Sequence, residues 1–365
     1  MNSSLNSIRQ QSKNSEGEKV KNILVVRQHN HIGDMLCSLT LYAALKKKHP
    51  DSKITLVAAK TSYEIPFQEI NPYLDRVITF DKQNLRILLK FFRKLRERKY
   101  QIGIVPSTIK VSRTSHIINS ISGAKIRVGV KSVDGIENKS RKFLNVKSDF
   151  VWKNLHQLER NLDIVRQIGC DLTEEERRTI RFNFSAEEIS NAKNIIENIF
   201  PDKNRKIVGI HPGAGKKENM WPTNNCTDLI KKLQSQFNCN ILLTAGKVDG
   251  EQIRGIENEL KKSKLNYHTL TDLPLKKLGA ILSLIDLYIT NDTGSMHIAG
   301  FSDARMISLF GSTNPAEWAP TGKNKYFIKS KTENISDITV EEVYNLSKKI
   351  FEEENEIQKT WKIRG

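Results

Sequence analysis

Apolar runs recur along this chain in two separate series, each interrupted by stretches of helical period. The first run, Ile23-Leu24-Val25-Val26, is wholly apolar, as expected of a strand covered on both faces of a parallel sheet. A glycine-containing loop follows, then an apolar-periodic stretch over 35–48 that predicts a helix stopped at Pro50. Further strands are predicted at 54–59, 77–80, 102–105 and 127–130. Between two of them Leu85, Leu88, Phe92 and Leu95 recur at helical spacing, opposite Arg86, Lys90, Arg93, Lys94, Arg96 and Lys99, which makes a strongly basic amphipathic helix. Residues 173–206 are charged and helical in pattern, without strands. The alternation restarts at 207–210 and continues at 241–244, 267–270, 286–290 and 306–310. Thr339-Val340-Glu341-Glu342 has capping-box spacing and starts a final helix. Two runs of β-α alternation predict an α/β protein with two doubly wound parallel sheets facing each other. The pattern divides the chain into a flexible leader at 1–21, a first domain at 22–175, an inter-domain region at 176–205, a second domain at 206–350 and a tail at 351–365.

Composition sharpens this in three ways. A chain of 365 residues with 38% hydrophobic and 27% charged positions can build two cores, which argues against wholesale disorder. The net charge of +18 points to an anionic partner: nucleic acid, an acidic membrane face or a phosphorylated substrate. Cys37, Cys170, Cys226 and Cys239 are scattered, with no C-x-x-C and no histidine at metal spacing, so they read as small core residues in a reducing cytoplasm. The leader lacks the apolar stretch of a signal peptide. The longest nearly apolar run, 278–290, contains Asp286 and is shorter than the ~20 residues a spanning helix needs. A cytoplasmic protein is expected, with peripheral contact on the inner membrane as an option.

Three segments carry candidate chemistry. Around Asn291-Asp292-Thr293-Gly294-Ser295-Met296-His297 a strand ends, a turn follows and a helix begins. The free amides and positive dipole at such a helix start suit a phosphate, and Asp292 can accept hydrogen bonds from sugar hydroxyls. Simple helix capping by Asp292 or Thr293 accounts for the same residues equally well. The second segment is His211-Pro212-Gly213-Ala214-Gly215-Lys216-Lys217, where glycines after a strand admit a ligand to the backbone and two lysines supply charge for a diphosphate. Trp221 fits two roles there, packing on a base or sugar, or anchoring the loop. The spacing is not that of a Walker A loop. The third segment, Arg27-Gln28-His29-Asn30-His31-Ile32-Gly33-Asp34, sets one carboxylate at a helix start, suited to a general base or to a dipole-stabilised surface charge.

Together these segments resemble glycosyltransferase family 9, the heptosyltransferases of bacterial lipopolysaccharide core synthesis. The resemblance runs from about Ile23 to Phe310 and rests on Ile32-Gly33-Asp34, His211-Pro212-Gly213, Trp221-Pro222, the 291–299 stretch and Leu309-Phe310-Gly311-Ser312-Thr313-Asn314-Pro315. It implies the GT-B fold and metal-independent transfer with inversion, using no cofactor beyond the sugar-nucleotide donor, ADP-L-glycero-D-manno-heptose. It makes Asp34 the general base. It makes Gly213, Ala214, Gly215, Lys216, Lys217, Trp221, Asp292, Thr293, Gly294, Ser295, Met296 and His297 the donor site, and it puts the acceptor in the first domain. Gly33, Lys110 and Arg113 are the acceptor-side candidates. The acceptor is an anionic glycolipid, which gives the basic 86–99 helix, Lys110 and Arg113 a use in attracting it to an acidic membrane surface. A solvated basic face accounts for the same charges.

One departure stands out. The family commonly carries a lysine shortly before the Trp-Pro, and Asn219-Met220 stand there instead, with Lys216 or Lys217 as replacements. His29 and His31 receive no role from the resemblance. Three other readings remain: a GT-B transferase for another sugar nucleotide and glycan, a nucleotide-sugar binder without catalysis, and a nucleic-acid-binding protein. The last lacks any zinc finger, RNP motif or helix-turn-helix.

Overall fold

The computed structural model describes residues 19–28, 31–60, 65–81 and 85–364. Two six-stranded parallel sheets organise it. The first contains β1 (Asn22–Arg27), β2 (Lys53–Ala59), β3 (Arg76–Phe80), β4 (Ile102–Ile104), β5 (Ile126–Val130) and β6 (Val146–Ser148). The second contains β7 (Ile207–His211), β8 (Asn240–Ala245), β9 (Tyr267–Thr271), β10 (Leu287–Asn291), β11 (Met306–Phe310) and β12 (Lys325–Lys329). Their spatial orders are β3-β2-β1-β4-β5-β6 and β9-β8-β7-β10-β11-β12, so each is a Rossmann-type sheet with a reversal between its first and fourth strands. The two-domain GT-B expectation therefore holds.

The central strands are apolar because helices cover both faces. Ile23, Leu24, Val25 and Val26 are all buried, as are Leu287, Tyr288 and Ile289. One continuous apolar cluster runs from Met35 and Leu36 in the first domain to Met296, Ile298 and Phe301 in the second, so the domains meet across a shared core.

Several elements differ from the sequence expectations. The helix expected over 35–48 is two helices, Ile32–Cys37 and Leu39–Lys48. They break at Ser38, whose hydroxyl donates to the Met35 carbonyl at 2.6 Å in competition with the backbone ladder. Strands β6 and β12 were not expected, and neither was the small hairpin formed by Ser132–Val133 and Ile136–Glu137. The final helix does begin with the expected capping box: Glu342 accepts from the Thr339 amide at 2.8 Å and its own amide donates to the Thr339 hydroxyl at 3.2 Å. It continues to Arg364, through most of the segment read as a tail. All four cysteines are buried and unpaired. No described helix is long and apolar enough to cross a membrane. His29 lies outside the described residues.

Candidate active site

In sheets of this topology, ligands bind at the carboxyl ends of the strands flanking the reversal. In the first domain that place is a cavity of about 190 Å³ between the ends of β1 and β4. Arg27, Gln28, His31, Asp34, Ser107 and Lys110 are among its walls. Asp34 sits in the first turn of the Ile32–Cys37 helix and is only 5% exposed. Its Oδ1 stands 3.4 Å from Arg27 Nη2 and makes no hydrogen bond. Arg27 is itself buried and donates from Nη1 to Asn161 Oδ1 at 3.3 Å. The carboxylate thus has acceptor capacity left over for a hydroxyl in the cavity. Lys110 lines the same cavity; Arg113, exposed at the start of the Arg113–Ile121 helix, does not.

The equivalent place in the second domain lies between the ends of β7 and β10. Asn291 ties the two loops there. Its side-chain amide donates to the carbonyls of Pro212 (2.8 Å) and Gly213 (3.2 Å), and its Oδ1 accepts from the Trp221 amide at 3.3 Å. Asp292 follows and accepts from Asn219 Nδ2 at 3.2 Å. Burial pushes the Asp292 carboxyl above the usual range, opposed by a Thr313 hydrogen bond and the charge of Lys216. Thr293 occupies the N-cap of the Gly294–Gly300 helix in an extended conformation, and its side chain makes no capping bond. The capping explanation for this turn therefore falls away. Gly215, Lys216 and Lys217 are exposed on the loop after β7, with Lys216 held 3.5 Å from Glu218.

The departure before Trp221 has a structural counterpart. Asn219, where a charge was expected, is buried and spends its amide on Asp292. Lys216 is the lysine whose field reaches Asp292.

Trp221 is corrected from a donor contact to a loop anchor. Its indole is 3% exposed in the second-domain core, and Nε1 donates to the Ile338 carbonyl at 2.8 Å. Met296, Ala214, His297 and Ser295 are likewise buried. Ser295 Oγ lies 3.2 Å from Thr290 Oγ1.

His297 has a different task. A Cβ placed on Gly33 would lie 2.5 Å from His297 Cδ2, so the histidine ring fills the space glycine leaves open. A Cβ on Gly294 would lie 3.4 Å from Ile32. The helix carrying Asp34 and the helix that follows Asp292 therefore pack directly on one another, and glycine makes the close approach possible. Cys37 Sγ is 3.9 Å from His297 Nδ1, and Trp318 meets the ring edge-on at 5.9 Å between centroids. Burial holds the His297 imidazole neutral, with its pKa lowered to about 3.

Sequence reasoning missed three further parts. Asp249, after β8, is 3% exposed and sits behind Gly213, where a Cβ would meet its Oδ1 at 2.0 Å. It accepts from the Gly246 amide at 2.7 Å and faces His211 Nε2 at 3.5 Å. His211 also bonds Thr244 Oγ1 at 3.1 Å; burial lowers its pKa, and the Asp249 charge partly offsets that. The second is the role of Arg27, part of the third segment but given no task there, which stands 3.4 Å from Asp34. The third is Arg160, almost wholly buried, which bonds Asp134 at 2.8 Å in its own domain and reaches Glu317 of the other at 3.0 Å. The position of Asp249 just past a strand's carboxyl end was the available signal for it; Arg27 is seven residues from Asp34 but is held by Asn161, and Arg160 reaches Glu317, both far along the chain.

Two Rossmann-type domains that pack on one another near their reversal points define the GT-B fold. The family model for glycosyltransferase family 9 (heptosyltransferase) matches residues 88–346, so the chain belongs to that family and is a glycosyltransferase. It is 22% identical over 313 residues to the lipopolysaccharide core heptosyltransferase OpsX of Haemophilus influenzae, covering 83% of this chain and 82% of that protein. Among solved structures it is similar to the family 9 glycosyl transferase of Veillonella parvula, with TM-score 0.76 and 19% identity over 91% of this chain and 98% of that one. It is also similar to the ADP-heptose lipopolysaccharide heptosyltransferase II of E. coli, with TM-score 0.72 and 21% identity over 91% and 99% of the two chains.

Proposed function

We propose that the protein transfers heptose from ADP-heptose, with inversion, onto an anionic glycolipid of the lipopolysaccharide core on the cytoplasmic side of the membrane. The observation that carries the reading is the packing of the Asp34 helix against the helix after Asp292, which brings the Asp34 carboxylate, 3.4 Å from Arg27, to the same domain boundary as the turn proposed to bind the diphosphate. The acceptor hydroxyl enters the Asp34 cavity and attacks the anomeric carbon from the face opposite the diphosphate. Its proton passes to the Asp34 carboxylate as the new C–O bond forms. The bond from the anomeric carbon to the diphosphate breaks, and its electron pair leaves with ADP. The backbone amides of Thr293 and Gly294 and the Lys216 ammonium stabilise the charge that gathers there, the Asp292 amide being held by the Leu309 carbonyl. These protein groups supply that stabilisation without a metal ion in the proposed path. Asp292 binds sugar hydroxyls, with Asn219 fixing its orientation. Relatives named for ADP-heptose support the choice of donor.

A thermal-shift panel of ADP-, GDP-, UDP- and dTDP-sugars tests the donor. Stabilisation by ADP-heptose above the others is expected; a larger shift with another nucleotide would replace heptose with that sugar and leave the transferase reading intact.

A further inference from the structure

The carboxyl ends of β4, β5 and β6 lie side by side and carry a group of apolar side chains that the transfer reaction does not use. Ile136 is 75% exposed, Val151 71% and Phe150 51%; Ile109 is half-exposed. Exposed apolar side chains gathered on neighbouring loops mark a surface for a partner or a membrane. They are held on ordered backbone. Arg160 joins the three loops by bonding the Thr108 carbonyl (3.2 Å), Asp134 (2.8 Å) and the Leu155 carbonyl (2.8 Å). Asp134 and Gly135 form the left-handed tip that projects Ile136. Buried Trp152, whose Nε1 donates to Asp163 at 2.9 Å, pins the loop so that Phe150 and Val151 point outward.

Cations flank the apolar residues. Lys110, Lys139 and Lys153 are exposed and meet no described carboxylate within ion-pair distance. The acidic residues of the same loops are already neutralised: Asp134 by Arg160, Glu137 by Arg141 and Asp149 by Lys131. Apolar residues ringed by unpaired lysines match an anionic bilayer, where the first enter the headgroup layer and the second meet lipid phosphates. Ile109 and Lys110 also line the Asp34 cavity, so the patch forms part of the mouth through which an acceptor enters.

We propose that this rim docks the protein on an anionic phospholipid surface and turns the Asp34 cavity toward the bilayer. The proposal extends the glycolipid-acceptor reading. Vesicles that contain no acceptor keep the two separable, because docking on bare lipid is required by the rim and is indifferent to donor and acceptor identity. The sequence pattern had pointed to the basic helix, Leu85–Arg96, for membrane attraction. That helix buries Phe91 and Leu95 in its own domain, and its exposed Leu89 provides a control position.

The test is co-sedimentation of the full chain with vesicles of phosphatidylglycerol and phosphatidylcholine against pure phosphatidylcholine. Wild type is expected to bind the anionic vesicles at least about tenfold more tightly, and the triple variant Ile136→Ser/Phe150→Ser/Val151→Ser is expected to lose about tenfold or more of that binding. Lys139→Glu/Lys153→Glu is expected to weaken it similarly, and Leu89→Ser to leave it unchanged. All the substituted side chains are exposed, so melting temperatures are expected to match wild type. No wild-type binding, equal binding to neutral vesicles, or a triple variant that binds like wild type would overturn the proposal. Loss confined to Leu89→Ser would move docking to the helix and overturn it equally.

Discussion

Replacing Gly33 with alanine tests whether helix contact at the domain boundary sets the catalytic geometry. The added methyl would stand 2.5 Å from His297 Cδ2 and 2.6 Å from Nε2. Ordinary carbon contacts are about 3.5–4 Å, so the two helices must separate by roughly 1 Å. The ring has little room to swing aside, being 6% exposed and faced by Cys37 and Trp318. Overpacking of this kind costs about 1–3 kcal/mol in stability, which a two-domain protein of this size can absorb. A displacement of about 1 Å between base and donor costs about 100-fold in rate. The assay is nucleoside diphosphate release with donor and a lipopolysaccharide-core acceptor, run beside direct donor binding. Gly33→Ala is expected to lower kcat by about 100-fold with donor affinity unchanged. Adding His297→Ala, which empties the space the methyl needs, is expected to restore part of the rate. Full kcat in Gly33→Ala, or donor affinity that falls in step with kcat, would refute the reasoning.

Two further outcomes follow from burial. Trp221→Ala removes a core indole and its bond to the Ile338 carbonyl, and is expected to cost about 3–5 kcal/mol, read as a large fall in Tm; a base-stacking tryptophan would instead lower donor affinity at constant Tm. Acid stability reports on His297. Its folded pKa, about 3, lies below the unfolded value of 6.5, so the unfolded chain binds the extra proton between those limits. Stability is therefore intact above pH 6.5 and is lost as the pH falls toward 3. Between pH 6.5 and about 4.5 this one group accounts for about 2–3 kcal/mol. His297→Asn is expected to flatten the fall of Tm over that range, and an unchanged slope would contradict the assignment.

The central strands were legible because helices cover both faces and force unbroken apolar runs such as Ile23 to Val26. The last strand of each sheet was not. Val146-Lys147-Ser148 and Lys325-Tyr326-Phe327-Ile328-Lys329 are at sheet edges, where one side meets solvent and polar residues are tolerated. The break at Ser38 was hidden because a single hydroxyl contact makes it, within an otherwise continuous helical period. At the site, Asp34 and the 292–294 turn could be read because strand-end loops with glycines carry local signatures. The Trp221 ambiguity could not be resolved locally, since its partner carbonyl at Ile338 lies far along the chain. His297 shows the same limit: next to a strand-end turn it reads as a ligand contact, and only its fit against Gly33 reveals an inter-domain role.

In the proposed reaction Asp34 is the base and the donor is held at Asp292 to Gly294. Its most direct test compares wild type with Asp34→Asn, measuring heptose transfer from ADP-heptose to a lipopolysaccharide-core acceptor together with ADP-heptose affinity. Transfer by wild type, a fall in kcat of about 10²–10⁴-fold in Asp34→Asn and unchanged donor affinity are the predicted result. An Asp34→Asn variant that transfers heptose at the wild-type rate would contradict the account.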